Sequence, residues 1–491
     1  MTAYADLEIG LHYQDETRYR VEASLRLPGQ DAELRHSDSV SAFDVQDLAA
    51  QALNPDTYGL VLSQSLFATE ALRGFLSMAR TAALAQDPPV PLRLRLQIGP
   101  TLPELHALRW ETLRDPSWPD LRLATDERVL LSRYLSSDDW RPVRALPHSG
   151  LKALVVVANP ANVDRYRGQD GAALAPVDVA GEWDRARRGL ATIPATGLCS
   201  VPGLGCSGRP TLDELLRLLR DGCDILYLVC HGVLRDDGQA LLYLEDSEGT
   251  ADVIPAGEEV LPDGRRRPGL IAELSQVEQV PRLVLLASCQ SAGQGEEQIS
   301  PDTRALMALG PRLARIGVPA VVAMQGNVTM ATVEQFMPVF FEELQRDGQI
   351  DRAMAAARRA VRDRWDWWAP VLFTRLESGR LYAPEPRAVP GAISAPAPAG
   401  PDGTGGYDVR AVEDLLLAAF TADDLRRLVY YSSNDGLRQL ANRFGRRDGL
   451  IDMVLTTIEY CEKRGLLPEL LAAVERENPR QYDRFRQRLR A

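Results

Sequence analysis

Four short runs of the chain are almost wholly apolar: residues 151–158, 225–230, 283–288 and 319–324. Each is short for a buried helix and lacks the polar alternation of a half-exposed strand, so each reads as a strand covered on both faces. Amphipathic stretches lie between and around them. Residues 211–220 carry leucines at 212, 215, 216, 218 and 219 behind a capping Thr211, and residues 305–316 and 333–346 also read as helices. Strand, helix, strand in this order requires right-handed crossovers and a parallel, two-sided sheet. The expected fold class is α/β, with a central mostly parallel sheet in residues 149–383.

The flanks read differently. Residues 1–148 suggest a mixed α/β region, with strand-like alternation at 7–13 and 19–27, helical stretches at 48–53 and 64–84, and a strand at 92–98. Residues 384–406 are dominated by proline, alanine and glycine, as in Ala395-Pro396-Ala397-Pro398-Ala399-Gly400-Pro401, and read as an extended linker. Beyond it, residues 407–491 are helical by pattern. Val412, Leu415, Leu416, Ala419 and Phe420 mark one helix, and Thr421 with Asp424 has the spacing of a capping box for the next. Asp448 is positioned to cap a third, which closes at Lys463-Arg464-Gly465, and a fourth runs from about 468 to 477.

Composition excludes several classes. The formal net charge of −12 argues against nucleic acid as a partner. No apolar run approaches the roughly 18–20 residues that span a bilayer, and the first residues do not resemble a secretory leader, so a cytoplasmic protein without membrane contact is expected. Six cysteines in a chain of 491 residues are too few for a disulfide framework, and none are spaced C-x-x-C, so neither a metal nor any other cofactor is expected.

Two of the apolar runs end abruptly in reactive residues. One is Leu226-Tyr227-Leu228-Val229-Cys230-His231-Gly232, and the other is Leu283-Val284-Leu285-Leu286-Ala287-Ser288-Cys289. Ligands of an open parallel sheet sit beyond the carboxyl ends of its strands. If these strands are neighbours, His231 and Cys289 emerge together, imidazole beside thiol, as a general base and a nucleophile. Peptide N–H groups near Gly232 and Cys289 are then candidate oxyanion donors. The bland alternative stays open: a cysteine at a strand end is often only a small hydrophobe, and such a histidine a satisfied core residue. Cys230, inside its strand, is assigned to the core.

The run at 319–324 would end on the same edge, which makes Gln325, Gly326 and Asn327 candidates for binding the substrate residue before the cut. Glu297 and Asp302, after Cys289, read as a solvated loop that could also favour a basic residue there. Gly203-Leu204-Gly205-Cys206-Ser207-Gly208 satisfies G-x-G-x-x-G. Pro202 before it and Pro210 after it deny it the strand and helix of a dinucleotide site, so it reads as a flexible surface loop.

The blocks LYLVCHG and LVLLASCQSAG, in this order, resemble the His-Gly and Cys blocks of the CHAT family of caspase-like peptidases, in the clan of caspases, separase and gingipain. LHALRWETLRDP at 105–116, GVPAVVAMQGNVT at 317–329 and WWAPVLFTRLESGRL at 367–381 resemble the segments around that core, so the similarity spans roughly residues 90–383. It implies a caspase-like α/β sandwich and a catalytic His231–Cys289 dyad needing no third carboxylate. Gln290-Ser291 departs from the more usual acidic or threonine-containing version. LLLAAFTADDLRRLVYY and LLPELLAAVERENPRQY resemble effector-associated, death-like adaptor domains of bacterial conflict systems. The resemblances together imply a cysteine endopeptidase that cleaves a partner protein, such as a pore-forming or other effector, in bacterial defence or cell death. An adaptor or activator protein would engage it through residues 407–491. A catalytically inactive CHAT scaffold is the alternative, and a nucleotide-dependent enzyme using 203–208 a more remote one.

Overall fold

The computed structural model describes residues 3–489, except 16, 31, 100–101, 136–145, 148–149, 168–172, 175, 236–238, 261–263, 288–301, 326–327, 384–408, 431, 433, 441–449, 465 and 487. The strands are β1 (Ala5–Tyr13), β2 (Arg18–Arg26), β3 (Glu33–Ala42), β4 (Leu92–Ile98), β5 (Val129–Tyr134), β6 (Leu146–Pro147), β7 (Ala153–Val157), β8 (Ala195–Cys199) and β9 (Ile225–Val229). They continue with β10 (His231–Leu234), β11 (Ala240–Glu245), β12 (Ala251–Pro255), β13 (Glu259–Val260), β14 (Arg266–Arg267), β15 (Leu283–Ala287), β16 (Ala320–Met324), β17 (Pro370–Thr374) and β18 (Tyr382–Ala383). The chain divides into two compact units, Met1–Arg387 and Ala388–Ala491.

One sheet organises the first unit, in the order β3-β2-β1-β4-β5-β17-β16-β15-β9-β7-β8. All four apolar runs lie in it, as β7, β9, β15 and β16. These strands and β8 are mutually parallel, so their carboxyl ends share one edge. β17 runs antiparallel to β16 but parallel to β5, so a seam there separates a first block, the parallel strands β7, β8, β9, β15 and β16, from a second parallel block, and β2 and β3 add an antiparallel edge beyond β1. β1, β4 and β5 extend the second block, which makes the first residues part of the same sheet.

Two-sided burial is visible residue by residue. In β9, Ile225, Tyr227 and Val229 enter one apolar cluster while Leu226, Leu228 and then Cys230 enter the other. Helices Val179–Leu190 and Met330–Asp347 cover the first face with Trp183, Phe336, Phe340 and Phe341. Helices Leu212–Arg220 and Asp302–Arg315 cover the second with Leu215, Leu219, Leu309 and Leu313. Each such side chain stabilises the fold by about 1.5–3 kcal/mol through burial. Thr211 caps its helix as expected, accepting from the Glu214 N–H at 3.2 Å. Asp302 begins a helix where a loop was expected.

Other differences have local causes. β3 was not anticipated: its sequence, ELRHSDSVSA, is polar because it is an edge strand with much of both faces exposed. The Gly203–Gly208 stretch is tied down where a free loop was expected. A disulfide joins Cys199 to Cys206, the one such bond among the described residues, which cysteine spacing did not signal.

In the second unit, helices Val409–Ala419, Ala422–Tyr430, Asp435–Leu440, Leu450–Arg464, Leu467–Glu477 and Pro479–Phe485 surround a core that includes Val412, Leu415, Leu416, Leu425, Val454 and Leu470. The capping box forms: the Asp424 N–H donates to Thr421 Oγ1 at 3.3 Å, and the Thr421 hydroxyl donates to Asp424 Oδ2 at 2.6 Å. Asp448 lies outside the described residues.

Helix Pro55–Leu66 presses on the short turn Trp110–Thr112 through Gly59, where a Cβ would stand 2.1 Å from the Thr112 carbonyl oxygen. That carbonyl is backbone and cannot swing aside. Gly59→Ala is expected to destabilise the first unit by about 1–3 kcal/mol in urea unfolding.

Candidate active site

The chain leaves the large sheet at Cys230, and His231 opens a second, three-stranded sheet of β10, β11 and β12. His231 is opposite Tyr243 of β11 and Gly232 is opposite Leu242. The histidine is held at a junction between sheets and is only 2% exposed. Cys230 is buried in the apolar cluster, in line with its core assignment.

A single row of paired residues crosses the carboxyl edge of the first block. Cys199 pairs with Val157, Val157 with Val229, and Val229 with Ala287. In the sequence His231 lies two residues beyond Val229 and position 289 two residues beyond Ala287, and Val229 and Ala287 themselves pair on immediately neighbouring strands. Adjacent strands are about 4.8 Å apart. Cys289, Gly326 and Asn327 themselves fall outside the described residues.

Gln325 follows directly on β16. Its backbone N–H donates to the Ala369 carbonyl at 2.7 Å, and its side-chain Nε2 donates to the Ala107 carbonyl at 2.8 Å. Its Oε1 accepts from Arg133 Nη2 at 2.7 Å. The carboxamide is thus engaged by protein groups. On the other side of residues 326–327, the Thr329 N–H donates to Asp366 Oδ2 at 2.7 Å, and the Thr332 hydroxyl to Oδ1 at 2.5 Å. Both flanks are therefore fastened to one short segment, 366–369, just before β17.

Behind Gln325 lies a charged cluster that sequence reading missed. Arg133 of β5 grips Glu111 through two nitrogens, at 3.2 and 2.6 Å, and donates to the carbonyls of His106 and Leu108. Arg358 lies 3.7 Å from Glu111 and donates to the carbonyls of Leu131 and Pro370. All three charged side chains are fully buried. Burial pulls the Arg358 guanidinium down to about 10, against the opposing attraction of Glu111. The signal was in the text of the chain: in LRWETLRDP, Trp110 fills the core and donates to the Leu105 carbonyl at 2.7 Å, while the next residue is the carboxylate that Arg133 needs.

His106 borders this cluster. Its Nε2 is 3.2 Å from the Gly99 carbonyl, the geometry of an N–H donor, while Nδ1 has no hydrogen-bond partner. Burial, helped by the nearby Arg133 charge, pushes its imidazole down to about 4.

A surface groove of about 1030 Å³ lies elsewhere, lined by residues such as Glu343, Arg346, Arg352 and Arg359, and none of the expected site residues borders it. No helix among the described residues is long and apolar enough to cross a membrane.

The family model of the CHAT domain matches residues 57–375, and the chain belongs to the CHAT domain family. No curated protein matches the chain. Among solved structures, the complex of the pro- and mature domains of RgpB from Porphyromonas gingivalis is similar at 11% identity, with 64% of this chain and 70% of that one covered and a TM-score of 0.33. The Arg-specific cysteine proteinase gingipain R (RgpB) is similar at 11% identity, with 64% and 68% covered and a TM-score of 0.33. The separase–securin complex of Saccharomyces cerevisiae is similar at 9% identity, with 75% of this chain and 30% of that one covered and a TM-score of 0.40.

Glu111→Gln would leave two buried guanidinium groups without a carboxylate. The expected cost is about 3–5 kcal/mol, read from urea unfolding. His106 gives a pH signature. Its folded value of about 4 lies below the ordinary 6.5, so between these pH values the unfolded chain binds a proton that the folded chain refuses. Stability should fall as pH drops from about 6.5 towards 4, by roughly 2–3 kcal/mol from this residue, and His106→Gln should lack that component.

Proposed function

We propose that the protein is a regulated cysteine endopeptidase of caspase-like type that cleaves a partner protein, with His231 as base and Cys289 as nucleophile. The observation that carries this reading is the register. Val229 and Ala287 pair on adjacent parallel strands, and the two reactive residues each follow their strand's pair by two positions. Membership of the CHAT family supports it.

In this reading His231 takes the Cys289 proton, and the thiolate attacks the scissile carbonyl carbon. Backbone N–H groups at Gly232 and Cys289 receive the oxyanion, and His231 protonates the departing amine. Water then releases the acyl group from sulfur. Gly326 and Asn327 receive the side chain before the cut. Gln325, whose amide is taken up by Ala107, Leu108 and Arg133, acts as their anchor. A peptide cannot reach an imidazole that is 2% exposed until something moves, which fits an enzyme held back until activated. The helical unit of residues 407–491 is the death-like module through which an adaptor or activator acts. The setting proposed is the bacterial cytoplasm, in defence or cell death.

The same burial of His231 also favours a second reading, a CHAT scaffold that binds without cutting. The two are separated by comparing new protein termini in cells carrying wild type, Cys289→Ala or His231→Ala under the stress that activates the system. The peptidase predicts termini that vanish in both variants along with the biological effect. Full biological effect in both variants, with no change in termini, would make the protein a scaffold.

A further inference from the structure

The geometry points to the Cys199–Cys206 pair as a reversible thiol–disulfide exchange site, open to a dithiol reductant, that clamps the segment beside the candidate active site. Cys199 is the last residue of β8 and occupies the same cross-sheet row as Val157, Val229 and Ala287. The bond joins it to Cys206, seven residues on. The loop between them is glycine-bent, with Gly203 and Gly205 at positive φ, and mostly exposed.

The closed loop holds its surroundings in place. The Cys199 N–H donates to the Gly208 carbonyl at 3.0 Å, and the Ser207 N–H to the Gly197 carbonyl at 2.7 Å. Trp183 Nε1 donates to the Leu204 carbonyl at 3.0 Å. Ser200 carries the connection onward. Its hydroxyl oxygen accepts from the Asn159 N–H at 2.6 Å, and Asn159 Oδ1 accepts from the Val177 N–H at 2.9 Å. Asn159 lies just beyond β7, the strand next to the one that leads to His231. The loop therefore bears on residues that border the same strand edge.

The two sulfurs differ in access. Cys199 is 4% exposed, whereas Cys206 is half-buried between exposed Gly205 and Ser207. An incoming thiolate meets Cys206 first. It attacks Sγ of Cys206, the S–S bond breaks, and Cys199 leaves as a thiolate that takes a proton from water. The reductant's second thiol, deprotonated, then displaces Cys206 from the mixed disulfide. Two electrons and two protons pass from the dithiol to the pair, and the reductant becomes its own disulfide. One disulfide among the described residues, with Cys223 and Cys461 outside any disulfide, is not a secreted-type framework. In a reducing compartment such an isolated bond is characteristically transient.

The test does not depend on the peptidase reading, because it reads no activity. Full-length protein carrying Cys289→Ser is equilibrated in dithiothreitol redox buffers without denaturant. Thiols are counted by alkylation and intact mass, and amide hydrogen exchange is followed. Two thiols should appear reversibly, at Cys199 and Cys206. Exchange at the Cys199, Ser207 and Asn159 amides should then quicken at least about tenfold, while the β9 amides remain slow. Cys199→Ser/Cys206→Ser should match the reduced state, and if that variant does not fold, the reduction of the parent protein decides alone. A pair that never forms, that yields to dithiothreitol only on global unfolding, or whose reduction leaves those three amides unchanged overturns the proposal.

Discussion

Where no water reaches, the carboxylate of Glu111 meets the guanidinium of Arg133, and much of the first unit is organised around that contact. Glu111 comes from the turn Trp110–Thr112, Arg133 from β5, Arg358 from a covering helix and Gln325 from the end of β16. Two arginines against one glutamate leave an excess positive charge in the interior, offset by hydrogen bonds to four backbone carbonyls. Such a group of charges contributes less through net stability than through intolerance of any other arrangement. It fixes how the first residues of the chain dock against the strand that delivers Gln325.

The candidate site inherits its geometry from two constraints of different kind. Apolar burial sets the register of β7, β9 and β15, since a slip of one residue would exchange the side chains of the two core clusters. Polar anchoring sets the neighbourhood of residues 326–327, through the Ala369 carbonyl on one side and Asp366 on the other. The first is tolerant of chemical detail and strict about position. The second is strict about both.

These constraints also explain what could be read from the sequence. The strands β7, β9, β15 and β16 were legible because five consecutive buried apolar residues permit few other readings. That the carboxyl ends of β9 and β15 share one edge followed from the strand pattern alone. β8 was not legible: Ala195–Cys199 is short and half made of small residues, because Gly197 must admit the ring of Trp183. Glu111, Arg133 and Arg358 were missed because charged residues are read as surface by default, and only the fold reveals that their partners are each other. The sheet of β10 to β12 was hidden by the histidine itself, which ends one strand run in the sequence yet begins another in space.

The seam between β16 and β17 divides the freedom of the fold as well as its strands. The carboxyl ends of β1, β4 and β5 open on the edge opposite to those of β7, β9, β15 and β16. Insertions after the former strands would lengthen the far rim, and insertions after the latter would crowd the near one. A lineage can therefore remodel one rim extensively while the other keeps its contour, so length variation on the far side is a poor guide to changed chemistry on the near side.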